Sequence, residues 1–145
     1  MPRLLLFAPC ERAILADDNT VSLITILETL RLNFETKEEI PPDLAIPFAW
    51  HAISLWTRET EDKDGTFYHQ KIQLLMPDGT TPIELEIPLQ FGPGKTNTRG
   101  IFKVMGFPIP KASALARVRL LVRPVNSTTE WSEVSAFPIY LEVPV

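Results

Sequence analysis

Few residues in this chain have side chains suited to acid–base or nucleophilic chemistry. They are two histidines, His51 and His69, and a single cysteine, Cys10. A nucleophilic thiol needs a base within hydrogen-bond reach, and no spacing among these three residues marks such a pair. If the surrounding segments are strands, His51 shares a face with Ile53 and Leu55 and reads as a hydrogen-bonded histidine beside a core. His69 shares a face with Lys71 and Gln73 and reads as solvated. Cys10, flanked mostly by apolar residues, reads as a small core hydrophobe. The segment Gly92-Pro93-Gly94-Lys95-Thr96 ends like a phosphate-binding loop. That loop needs a first glycine five residues before the one that precedes the lysine, and a helix after it. Position 89 is Leu and the flanks read as strands, so this is a hairpin loop. No catalytic residue, cofactor or metal centre is assigned.

Two binding features remain. If strands run up and down, the connections at Asp17–Thr20, Glu59–Gly65, Gly92–Thr98 and Asn126–Glu133 fall at one end. That end gathers Asp17, Asp18, Glu59, Glu61, Asp62, Asp64, Glu130 and Glu133. Calcium takes about six to eight oxygen ligands, which loops at the tip of a sandwich can supply. The competing reading is a solvated acidic rim, since Asp also populates turns for local backbone reasons. Trp131 stands in the otherwise polar run Asn126–Glu133. It reads either as an exposed indole offered to a partner or sugar, or as a side chain folded back to staple its loop.

The elements that must position these residues are strands. In Ile83–Phe91 every second residue is apolar, while Glu84, Glu86 and Gln90 take the other face. Tyr68, Ile72 and Leu74 alternate with His69, Lys71 and Gln73. Met76-Pro77-Asp78-Gly79-Thr80 supplies the turn that joins these two runs as a hairpin. Val118, Leu120 and Val122 alternate with Arg117, Arg119 and Arg123, a basic face either solvated or paired with acidic neighbours. Ile46–Trp56 is apolar on both faces, with Trp50 and Trp56 on one and Ile53 and Leu55 on the other, and is expected to lie centrally. Leu4–Ala16 and Val21–Phe34 flank a polar turn, with a bend near Glu28. Arg99–Phe107 and Ala136–Val143 complete about eight strands, the pattern of an antiparallel β-sandwich. Only Pro110–Arg117 and Thr36–Asp43 have room for a helical turn. Fourteen prolines against six glycines are consistent with that scarcity of helix.

The opening residues, MPRLLLFAPCER, resemble the start of a lipoprotein. A secretory signal, however, needs about 7 to 15 apolar residues before a small-residue cleavage site. The run Leu4–Ala8 is too short, Pro9 precedes Cys10, and charges follow at once. The segment reads as a first strand, with Pro9 at a bulge or edge position. No window approaches the roughly 20 apolar residues of a membrane span. The expected compartment is the cytoplasm, where a lone thiol stays reduced. The chain has 145 residues, enough for one domain, and a formal net charge of −4 that argues against nucleic acid.

The segments Ala8-Pro9-Cys10-Glu11, Ala16 to Ile24, Pro77-Asp78-Gly79-Thr80 and Pro138 to Val143 together resemble an uncharacterised bacterial family of small immunoglobulin-like sandwiches. That family's penultimate hairpin tends to open a strand with Gly-x-Tyr, where this chain has Lys111–Arg117. The resemblance implies the sandwich fold and no assigned activity. The expected function is a non-enzymatic binding or scaffold module acting on a protein partner or on itself. Long strands such as Ile83–Phe91 leave sheet edges that must be paired or protected. A calcium- or carbohydrate-binding tip is the alternative, and a small hydrolase using Cys10 or a histidine the third.

Overall fold

The computed structural model describes residues 1–17, 20–31, 45–59, 67–125 and 128–143. Among them the chain forms nine strands and no helix. In order these are β1 (Arg3–Leu15), β2 (Val21–Ile26), β3 (Thr29–Arg31), β4 (Ala45–Thr57), β5 (Tyr68–Leu75), β6 (Ile83–Leu89), β7 (Asn97–Pro108), β8 (Ala114–Pro124) and β9 (Ser132–Glu142). They build a four-stranded sheet, ordered β2-β1-β4-β7, and a five-stranded sheet, ordered β3-β9-β8-β5-β6. Pairing is antiparallel except between β3 and β9, which run parallel, so the sandwich is mixed rather than purely antiparallel. The bend expected near Glu28 is where the chain leaves the first sheet for the second. The Glu28 carbonyl there accepts a hydrogen bond from the Tyr140 amide at 2.9 Å. Pro110–Arg117 makes no helical turn, because β8 has already begun at Ala114. The segment Thr36–Asp43 lies outside the described residues.

Period-two alternation produces the core. Strand β4 lies between β1 and β7 and sends Trp50, Ala52 and Trp56 inward, where they meet Phe102 and Val104 of β7. Ile72 and Leu74 of β5, Val118, Leu120 and Val122 of β8, and Ile139 and Leu141 of β9 close the cluster from the opposite sheet. Trp50 is fully buried, and its Nε1 donates to the Gly106 carbonyl at 3.0 Å. Gly106 has a φ of +91°, a conformation that a side chain makes costly, and it turns that carbonyl toward the indole. The turn joining β5 to β6 follows the expectation. Gly79 has a φ of +86°, and its amide donates to the Met76 carbonyl at 2.9 Å.

One buried polar group joins the sheets. Gln70 points inward from β5 and is fully buried. Its Oε1 accepts from Ser54 Oγ at 2.5 Å and from Trp56 Nε1 at 3.2 Å, while its Nε2 donates to the Pro88 carbonyl at 3.5 Å. Room for the amide exists because position 100 is glycine. A Cβ there would collide with Gln70 Nε2 and lie 2.7 Å from Ser54 Oγ. An amide buried without partners would cost several kcal/mol, on the order of 2 to 7, and here both of its polar ends are satisfied.

The hairpin β1–β2 adds a partial third layer. Cys10 pairs with His51 of β4 on one side and with Ile26 of β2 on the other, so β1 changes partner there. Between the paired positions Ile24 and Ile26, Thr25 has a φ of 57°, a strained conformation for a β-branched residue that interrupts the pairing with β1. The hairpin folds back over the outer face of the first sheet, bringing Thr20 and Val21 beside Leu55 and Arg99. That cover explains why Ala8, Cys10 and Ile53, which face away from the core, are buried. Replacing Trp50 with Ala is expected to lower unfolding free energy by about 3 to 5 kcal/mol in urea titrations. A loss below about 1 kcal/mol would contradict its central place.

Candidate functional site

The strand registers gather several loops at one end. Thr57 pairs with Asn97, Tyr68 with Leu89 and Pro124, and Val122 with Ser132. The end of β4, the start of β5, the end of β6, the start of β7, the end of β8 and the start of β9 therefore lie at one end. The folded-back hairpin brings Thr20 to the same end, where it lines an open cleft of about 810 Å³ with Val21, Leu55, Gly92, Lys95 and Asn97. The 90–96 segment is not a hairpin loop, as its sequence suggested. It carries the chain from one sheet to the other, because β6 and β7 belong to different sheets. Gly94, with φ +69°, makes its turn, and the Lys95 amide donates to the Gly92 carbonyl at 3.0 Å.

Of the acidic residues expected at this end, Asp17 is exposed on the β1–β2 turn. Asp18, Glu61, Asp62 and Asp64 lie outside the described residues. Glu59 pairs with Arg3 at 3.1 Å, and Glu133 with Arg119 at 2.5 Å. Among the described residues, no group of three or more His, Cys, Asp and Glu side chains is placed to hold a metal ion.

Trp131 is half-buried and folded against the outer face of the second sheet. Lys71 Nζ and Arg123 Cζ each lie 4.4 Å from its ring centroid. The negative face of the ring offsets part of each cation's desolvation cost, against the repulsion between the two. Lys71 is itself buried, and its ammonium reaches Glu84 Oε1 at 3.2 Å. The Gln73 amide, followed by Lys71, holds the Glu84 carboxyl below its ordinary range. Of the basic stripe of β8, Arg119 pairs with Glu133 and Arg123 lies over Trp131, while Arg117 is exposed.

Cys10 and His51 prove to be direct cross-strand neighbours, a proximity that their sequence separation hides. The pair lacks the electrostatics of a nucleophilic dyad. Burial pushes the Cys10 thiol up, whereas an activated cysteine is lowered by a nearby cation or base. His51 Nδ1 instead lies 3.3 Å from the Glu11 carbonyl, which fixes the ring beside the β1–β2 hairpin.

Hydrogen-bond parity identifies what the two long edge strands leave open. The Pro9 carbonyl accepts from the Leu27 amide, so residue 9 points away from β4, while Ala8 and Cys10 bond to it. In β4, alternate residues then serve opposite neighbours, and Trp50, Ala52 and Ser54 bond to Val104, Phe102 and Gly100 of β7. The Arg58 amide donating to the Thr96 carbonyl at 2.7 Å continues the same parity. The amides and carbonyls of Arg99, Ile101, Lys103 and Met105 consequently face outward from β7. In the other sheet, the Val125 amide donates to the Phe67 carbonyl, so odd residues of β5 bond to β8 and even ones to β6. This leaves Glu84 and Glu86 facing outward from β6, while at Pro88 there is no N–H and the carbonyl is approached by Gln70 Nε2.

No protein-family model matches the chain, and no curated protein matches it. Two features escaped the sequence reading. Gln70 was legible in principle, because it shares parity with the inward Tyr68, Ile72 and Leu74. Lys71 was not, since its burial depends on Trp131, distant in sequence. Cys10 is expected to react slowly with thiol reagents in the native state. Because its native pKa is raised, its contribution to stability is complete below the unfolded thiol's pKa of about 8.5 and is lost as pH rises toward the native value. Rapid labelling at neutral pH would contradict this.

Proposed function

We propose that the protein is a non-catalytic interaction module, an immunoglobulin-like sandwich that engages a protein partner or a second copy through its open sheet edges. The observation that carries this reading is the edge of β7, whose outward backbone groups from Ile101 to Met105 have no strand beside them among the described residues. An open edge is a template for a further strand, and main-chain hydrogen bonds then supply affinity. The edge carries the charges of Arg99 and Lys103 but is otherwise unblunted. It holds no proline between Asn97 and Phe107, and Met105 on its outer face is 74% exposed. A second edge, β6, lies on the same side of the sandwich. The resemblance to a family of small immunoglobulin-like sandwiches agrees with the two packed sheets and the crossings between them. The raised Cys10 thiol disfavours hydrolytic chemistry at the one position where a cysteine and a histidine adjoin.

The substitution Ile101→Pro tests this reading. The Ile101 N–H points outward, so proline removes an edge donor without removing a bond to β4. The variant is expected to keep its β-type circular dichroism while losing association, measured by light scattering for self-association and by affinity capture for another protein. A wild-type chain that stays strictly monomeric at high concentration and captures nothing that Ile101→Pro fails to capture would contradict the proposal.

A further inference from the structure

We infer that the occupant of these edges is a second copy of this chain, related by a two-fold axis parallel to the strands, with β7 of each copy paired to β6 of the other. The inference rests on the interaction reading above and names its partner. Direction permits it, because β6 ends and β7 begins at the 90–96 connection, so the two strands run oppositely along the sandwich. Rotation about an axis parallel to the strands keeps those directions while exchanging the two layers. Each four-stranded sheet then continues antiparallel into a five-stranded sheet of the partner, and both edges close at once.

Height narrows the register to two neighbouring choices. The Gln70 amide touches Gly100 on β7 and donates to the Pro88 carbonyl on β6, so these two positions lie at the same level along the sandwich. Such an axis preserves that level in the partner. The outer side chains of β7 are odd-numbered and those of β6 even-numbered, and these are also the residues whose backbone groups face outward. Two matching registers lie equally near this level, one with Lys103 opposite the partner's Glu86 and one with Lys103 opposite the partner's Glu84. Because Glu84 is already bonded to Lys71 and Gln73, the first is favoured, which sets Met105 opposite the partner's Glu84 and Ile101 opposite the partner's Pro88.

Charge and apolar surface fit the same register. Lys103 and Glu86 are both exposed, and among the described residues neither makes an ion pair or a side-chain hydrogen bond. Opposite charges directly across antiparallel strands stabilise the pairing. Self-pairing of β7 would instead bring together Arg99 and Lys103, and self-pairing of β6 would bring together Glu84 and Glu86, so like-with-like edges repel. On the inner face, Ile83, Leu85 and Ile87 of β6 are only half-buried where they close the core. In this arrangement Phe102 and Val104 face the partner's Ile87 and the partner's Leu85, and the two cores become continuous.

The test is a charge exchange read by sedimentation velocity over a range of concentrations. Wild type is expected to dimerise. Lys103→Glu and Glu86→Lys should each weaken the dimer at least about tenfold, because two contacts per dimer become repulsive, and the double variant should restore it. As a second measurement, Lys103→Cys with Glu86→Cys in a Cys10→Ala background should oxidise to a covalent dimer, since directly opposed residues lie within disulfide reach. A wild-type monomer at every concentration, a dimer indifferent to either single exchange, or a dimer that the cysteine pair does not cross-link would each overturn the inference. If wild type is monomeric yet captures another protein that Ile101→Pro does not, the interaction reading stands and only the two-fold pairing falls.

Discussion

The buried amide of Gln70 is the constraint on which much else depends. It reaches from β5 across the sandwich to Ser54 and Trp56 of β4, and it requires a glycine at position 100 of β7. A hydrophobic core alone is tolerant of small slips between two packed sheets, because apolar contact has little direction. A satisfied amide is not. Displacement by one residue would strand its oxygen and nitrogen in an apolar interior, so this contact sets the relative height of the sheets. The same contact levels Pro88 with Gly100 and thereby aligns the two open edges. Core specificity and edge geometry share one cause.

The outer surfaces depend on a different balance. The first sheet is covered by its own hairpin, its pairing interrupted at Thr25, which buries Cys10 and Ile53 away from the main core. Part of the second sheet is covered by Trp131, whose ring lies over Lys71 and Arg123. Both covers come from chain segments at the ends of strands, and both leave the side of the sandwich formed by β6 and β7 uncovered. The covers are partial, since Leu115 and Tyr140 on the outer face of the second sheet remain exposed, and the β6–β7 side carries neither cover.

The sequence carried the strands well wherever one face was apolar and the other polar, as in β5, β6 and β8, because period-two alternation reports a half-buried surface directly. Ile46–Trp56 was legible as central for the same reason, its two apolar faces matching a strand with a sheet neighbour on each side and a hairpin above. Sheet membership was not legible. The 90–96 loop has ordinary turn chemistry whether it joins neighbours or crosses layers, and nothing local distinguishes the two. The parallel β3–β9 pair escaped for a similar reason, since Thr29–Arg31 is too short to show a period. The acidic residues Asp18, Glu61, Asp62 and Asp64 lie outside the described residues. Trp131 stands out in the sequence, but its environment depends on Lys71 and Arg123, which only the sheet register brings beneath it.

The most direct measurement of the central claim is amide hydrogen exchange along β7 at low and high protein concentration. Even-numbered amides, such as those of Phe102 and Val104, bond to β4 and are expected to exchange slowly at both. The outward amides of Ile101, Lys103 and Met105 are expected to exchange rapidly in dilute solution and to gain protection as concentration rises. Outward amides that exchange rapidly at every concentration, or that are protected already in dilute monomer, would contradict the account.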